Sequence, residues 1–176
     1  FFSLAANLKK LTVIKSSGTD IEYKTLLFEV MNMWPYNKFV LYRLANYYKS
    51  KSQYQTSLNI YKKILDNYDL NDRDLFLYAS NLDKIGKWKE ARVLFLELLE
   101  KNPEDTFTLN YLSYKLALNN QELELAFDLI KKALVLDPDN GYFLDTLGWV
   151  EYKRKNFNSA VYFLERSVSI LPKSAE

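Results

Sequence analysis

The sequence predicts an all-α solenoid of paired antiparallel helices, and three observations predict it. Pro103, Pro138 and Pro172 are separated by 35 and 34 residues, and Pro35 lies 68 residues before Pro103 with Asp69 in the intervening slot. A period of this length is that of a stacked helical hairpin. Between these marks, apolar residues recur at spacings of three, one and three, which places them on one face of a helix. Four glycines and four prolines in 176 residues are few, so long helices with short connections are favoured over a turn-rich fold.

Composition bounds the function. Apolar residues make up 48% and aromatics 16%, enough to bury a core and too many for a long disordered stretch. Net charge is +2, from 24 basic and 22 acidic residues. No concentrated basic stripe appears in the linear order, so nucleic acid is not an expected partner. The pairs Lys9-Lys10 and Lys62-Lys63 read as solvated helix faces. No apolar run approaches the roughly 20 residues of a membrane-spanning helix. Histidine and cysteine are absent, which removes Cys/His zinc sites, thiol nucleophiles and Ser-His-Asp triads. The first residue is Phe1 rather than Met, so a processed or truncated chain is expected, with any targeting segment upstream. The compartment, cytoplasmic or periplasmic and cell-envelope, stays open. Abundant Phe, Tyr, Asn, Lys and Ile suggest a microbial source.

Taken in order, residues 1–37 form either an N-terminal helical cap or a degenerate repeat. Gly18 and Pro35 keep phase there, but Tyr23 occupies a slot that holds a small residue elsewhere. Complete units then run over about 38–71, 72–105, 106–140 and 141–174. Their first helices carry Leu41, Leu44, Ala45 and Tyr48; Leu75, Tyr78, Ala79 and Leu82; Leu109, Leu112, Ser113 and Leu116; and Leu144, Leu147 and Gly148. Their second helices carry Ser57, Ala91, Ala126 and Ala160, small enough for close helix approach. Each is followed four residues later by Tyr61, Phe95, Ile130 or Leu164, and preceded by three by Tyr54, Trp88, Leu123 or Phe157. The third unit is one residue long, most simply in the Asn119–Glu122 turn. Glu151 falls in an apolar slot, so it is expected to be paired or near solvent.

These units resemble the tetratricopeptide repeat family in its bacterial type. The fullest match runs from Leu144-Asp-Thr-Leu-Gly148 through Phe157-Asn-Ser-Ala160 to Pro172. The resemblance implies a right-handed superhelical array in residues 38–176 whose first helices line a concave surface that binds a protein or peptide. Carried onto this chain, the groove positions are Phe39, Tyr42, Asn46 and Lys49; Arg73, Phe76, Ser80 and Asp83; Phe107, Asn110, Tyr114 and Ala117; and Tyr142, Asp145, Trp149 and Tyr152. The ten that carry the binding expectation are Phe39, Tyr42, Asn46, Phe76, Phe107, Asn110, Tyr114, Tyr142, Trp149 and Tyr152. Aromatic side chains of this kind bury large areas at low entropic cost.

The carboxylate clamp of the chaperone-binding subfamily is not expected. Asn46 matches it and Arg43 is near, but Tyr42, Leu77, Phe107 and Tyr111 replace the remaining partners. Asp137-Pro-Asp139-Asn-Gly141 lacks the spacing of a calcium loop and reads as an inter-repeat turn, with Asp139 or Asn140 capping the next helix. Asp66, Asp69, Asp72 and Asp74 read as turn and capping residues. No catalytic residue, metal site or cofactor is assigned. Alternatives are a nucleic-acid-binding hairpin array, which needs basic residues along one groove, where Lys49, Arg73 and Lys153 are sparse, and a non-catalytic part of a larger enzyme. The last hairpin closes on Val161, Tyr162, Phe163, Leu164, Val168, Ile170 and Leu171, with only Lys173, Ser174, Ala175 and Glu176 beyond Pro172. That apolar end predicts a cover: a further segment, a second copy, or the partner.

Overall fold

A computed structural model describes residues 3–69 and 71–171. Among them the chain forms ten α-helices and no strand: α1 Leu4–Ser17, α2 Asp20–Met33, α3 Lys38–Ser50, α4 Tyr54–Leu65, α5 Asp72–Lys84, α6 Trp88–Lys101, α7 Thr106–Leu118, α8 Leu123–Leu136, α9 Gly141–Lys153 and α10 Phe157–Ile170. Two compact units result, residues 1–91 and 92–176, with the boundary inside α6. The period mark Pro172 and residues 173–176 lie outside the described residues.

The helix starts follow local chemistry. Asn37, Asn71, Asp105 and Asn140 each precede a first helix, and each side-chain oxygen accepts from backbone N–H groups of the first turn. Such caps satisfy donors that have no partner within the helix. Thr19 and Glu22 form a reciprocal capping box at α2. The Thr19 backbone and side-chain hydrogen bonds lower the Glu22 pKa from its usual 4.5.

The hairpin turns share one geometry. Ser52, Gly86, Asn120 and Lys155 adopt positive φ of 58°, 82°, 54° and 68°. The next residue's N–H in each case reaches back to the carbonyl of Tyr48, Leu82, Leu116 or Glu151 at 2.9 Å. This is a Schellman closure, with the left-handed residue just past the helix end. The extra residue of the third unit lies in that turn: four residues separate α7 from α8, where three separate the other pairs from α3 onward. It also leaves Glu122 left-handed at φ 42°. The α1–α2 link differs, with only Gly18 and Thr19 between the helices and Gly18 at φ −99°.

In the first unit, α2 packs on α1 and α3, and α4 on α3 and α5. Leu27, Val30, Val40, Ala45, Tyr61 and Ile64 are fully buried there. Ser57 fills its close-approach slot at 0% exposure, and its hydroxyl donates to the Ala45 carbonyl at 2.8 Å. In the second unit, α7 packs on α8 and α9, and α9 on α8 and α10. Ala126 and Ala160 are buried, and the Ser113 hydroxyl donates to the Ala126 carbonyl at 2.7 Å. Gly148 takes the place of Ala45 and Ser113. A Cβ there would lie 2.6 Å from Leu164 Cγ, so α10 approaches more closely than alanine permits.

Glu151 is buried but paired. Its carboxylate accepts from Asn156 Nδ2 at 2.7 Å and faces Arg154 Nη1 at 3.3 Å, while Arg154 Nη2 also meets Glu124 at 2.7 Å. One expectation needs correction. Asp66 and Asp72 lie at helix ends, but Asp74 is neither a turn residue nor a cap: it is 6% exposed and points inward from the first turn of α5.

Candidate functional site

The candidate groove residues arise from the first helix of each pair, and each unit presents its own set. In the first unit, Phe39 stands 64% exposed near the start of α3, with Tyr42 and Asn46 half-buried one and two turns later. These three line a cavity of about 290 Å³ with Leu8, Tyr23 and Arg43. Phe76 is half-buried on α5 and does not line this cavity.

Beneath Tyr42 lies a polar cluster that sequence reading missed. The Tyr42 ring tilts against Tyr61 at 5.9 Å, and the Tyr42 hydroxyl lies beside Asp74 without reaching hydrogen-bond geometry. Lys38 Nζ sits 3.9 Å from the Asp74 carboxylate and 5.7 Å from the Tyr42 ring centroid. Burial, reinforced by the Asp74 charge, holds both phenols above their ordinary pKa, so both stay protonated at neutral pH. The Lys38–Asp74 ion pair is the one charged link that this cluster makes between α3 and α5 among the described residues.

In the second unit, Phe107 and Tyr142 are 77% and 65% exposed, and Tyr114 and Tyr152 are also exposed. Trp149 is half-buried, stacked on Tyr152 with ring centroids 5.4 Å apart and with Lys153 Nζ 4.9 Å from its ring. Phe157 continues this aromatic run at 5.9 Å from Tyr152. Asn110 Oδ1 and Trp149 Nε1 are buried without a hydrogen-bond partner. Three assigned groove positions are corrected: Ser80, Asp83 and Ala117 are all buried and offer no free surface. On α10, Val161, Tyr162 and Val168 are more than half exposed.

Sequence reading also missed a cationic cavity in the first unit. Lys15, Lys49, Arg73 and Lys84 line a space of about 490 Å³ with Asn46 and Tyr54. Lys49 Nζ donates to Ser80 Oγ at 3.0 Å, and burial, then the neighbouring Lys84 charge, lower the Lys49 pKa. The arrangement offers cations and rings without a convergent acid–base pair. Among the described residues, no group of three His, Cys, Asp or Glu could hold a metal, and no helix is long and apolar enough to cross a membrane.

Comparison with known proteins agrees with this geometry. A tetratricopeptide repeat family model matches residues 75–105. The mitochondrial import receptor subunit TOM70 of Mus musculus is 22% identical over 138 residues, 78% of this chain and 23% of that protein. The TPR repeat-containing protein PA4667 of Pseudomonas aeruginosa is 23% identical over 170 residues, 96% of this chain and 29% of its own length. The chain thus spans less than a third of these relatives. The crystal structure of YrrB, described as a TPR protein with an unusual peptide-binding site, superposes with a TM-score of 0.70 at 18% identity, covering 97% of this chain and 88% of YrrB. With its helix pairs, turns and small-residue slots recurring in register, this chain belongs to the tetratricopeptide repeat family.

Proposed function

We propose that this chain is a protein-interaction scaffold that binds an extended peptide or a helix of a partner through the exposed faces of its first helices. The observation that carries the reading is the recurrence of Phe39, Phe107 and Tyr142 at the second position of α3, α7 and α9, each more than 60% exposed. Large aromatics left in water at a repeated register cost solvation without aiding the core, and such surfaces usually mark an interface. The unpartnered Asn110 Oδ1 and Trp149 Nε1 support it, since a small side-chain shift would offer an acceptor and a donor to a peptide backbone. YrrB, described as having a peptide-binding site, has the same fold.

The test is peptide selection from a charge-unbiased display library against the intact chain, followed by titration. Replacing Tyr114 and Trp149 together by alanine should weaken a selected binder by more than about 2 kcal/mol with helicity unchanged. Unchanged affinity would refute the assignment of this face. The exposed Val161, Tyr162 and Val168 support self-association through α10. Light scattering that shows a monomer at high concentration would remove that part.

A further inference from the structure

Charge is unevenly divided along this chain. Residues 1–91 carry fourteen basic and nine acidic side chains, whereas residues 92–176 carry ten basic and thirteen acidic. The excess in the first unit is gathered in one place. Lys15 from α1 and Asn46 from α3 line three adjoining cavities of about 220, 290 and 490 Å³, which makes these parts of one groove. Arg43, Lys49, Arg73 and Lys84 complete its cationic lining.

Its acids are accounted for. Asp20, on the wall of the smallest cavity, is held by Lys51 at 2.7 Å. The other two cavities are lined by no acid among the described residues. Arg43 spends a guanidinium N–H on the Thr12 hydroxyl at 2.7 Å, and Lys49 donates to the Ser80 hydroxyl. Neutral oxygens satisfy the donors but leave the charges uncompensated. Holding several like charges around one groove disfavours the folded state unless an anion enters.

We infer that the groove lined by Lys15, Arg43, Lys49, Arg73 and Lys84 takes an internal run of acidic side chains from a partner polypeptide. This rests on the peptide-binding reading above and names the chemistry of what binds in the first unit. Cations supplied by three helices, α1, α3 and α5, match several neighbouring carboxylates better than one terminal carboxylate. Phe39, Tyr42 and Tyr54 on the same walls supply apolar surface for residues interspersed among the acids. A nucleic acid fits less well. It would call for a cationic track, and the groove positions of the second unit are Phe107, Asn110, Tyr114, Tyr142, Asp145 and Trp149, with net charge there negative.

The test uses the full chain and a fluorescent, glutamate-rich peptide blocked at both ends, read by anisotropy. Binding is expected, weakened at least about tenfold by glutamine in place of glutamate and by a rise in salt from 50 to 500 mM. Arg73→Gln with Lys84→Gln should lower affinity about tenfold or more, and both residues are exposed, so folding is spared. Lys9→Gln with Lys10→Gln, the same charge removed from another exposed face, should leave affinity unchanged. Failure of the glutamate peptide to bind overturns the inference, as does an equal loss in the Lys9/Lys10 variant. Equal affinity for a neutral peptide with a free C-terminal carboxylate, or tighter binding of oligouridylate, also overturns it. Library-selected peptides that lack acids and ignore Arg73→Gln/Lys84→Gln refute this inference and leave the interaction module standing. A library that yields no binder removes both.

Discussion

Gly148→Ala tests how closely the last helix pair is packed. The added Cβ would lie 2.6 Å from Leu164 Cγ, 2.8 Å from Cδ2 and 3.2 Å from the Leu164 backbone nitrogen. The side chain can rotate away, but the nitrogen belongs to α10, so the helix itself must retreat. Overpacking of this kind costs about 1–3 kcal/mol. Alanine in a helix interior gains about 1 kcal/mol over glycine, which offsets part of that cost. The net expectation is a loss of about 1 kcal/mol, or roughly 2–4 °C in melting temperature for a chain of this size. Leu164→Ala removes the main side-chain obstacle, so the double variant should be more stable than additivity allows by about 1 kcal/mol. Urea titrations followed by circular dichroism of the four proteins measure this directly. If Gly148→Ala is stabilising by the full propensity gain, or if the two changes add, the close approach of α9 and α10 is wrong.

Three further outcomes follow from the same structure. Ala126→Leu and Ala160→Leu should each destabilise by about 1–3 kcal/mol, because both slots are at most 3% exposed; an unchanged denaturation midpoint would show the repeat register to be misassigned. Lys155→Gly and Ser52→Gly, at φ 68° and 58° in exposed turns, should stabilise by about 1 kcal/mol each, visible as a raised melting temperature. The Glu22 pKa lies below its usual 4.5, so its capping contribution is present above that value and is lost as pH falls through the folded-state value. Thr19→Ala removes only the hydroxyl donor and keeps the backbone N–H, so the Glu22 pKa, read by NMR titration, should rise part of the way and stay below 4.5.

What the sequence alone determined are features set by local and nearest-neighbour physics. A cap at Asp139 or Asn140 was legible because such residues stand just before an apolar periodic run, and Asn140 is the one that caps; the equivalent caps at Asn37 and Asn71 emerged only with the structure. The slots of Ser57, Ala126 and Ala160 follow from the closeness of paired helices, and the extra residue between Asn119 and Glu122 was legible because the other complete units keep a 34-residue length. For Glu151 the sequence left two outcomes, pairing or exposure to solvent, because an unpaired buried carboxylate is costly, and the structure buries and pairs it.

The candidate surface was legible only in outline. Phe39, Phe107 and Tyr142 are exposed, but Ser80, Asp83 and Ala117 occupy comparable positions in the pattern and are buried. A helical period assigns a residue to a face; whether a neighbouring element covers that face depends on packing. Asp74 shows the same gap, because its acidic neighbours in sequence suggested a turn, while its place in α5 turns it toward Tyr42 and Tyr61. The cationic groove was hidden for a further reason. Lys15 belongs to α1, where the repeat pattern is faint, and long lysine and arginine side chains reach across positions that periodicity keeps apart. Only packing α1, α3 and α5 together brings Lys15, Lys49, Arg73 and Lys84 to one space, where their charges act on each other rather than on water alone.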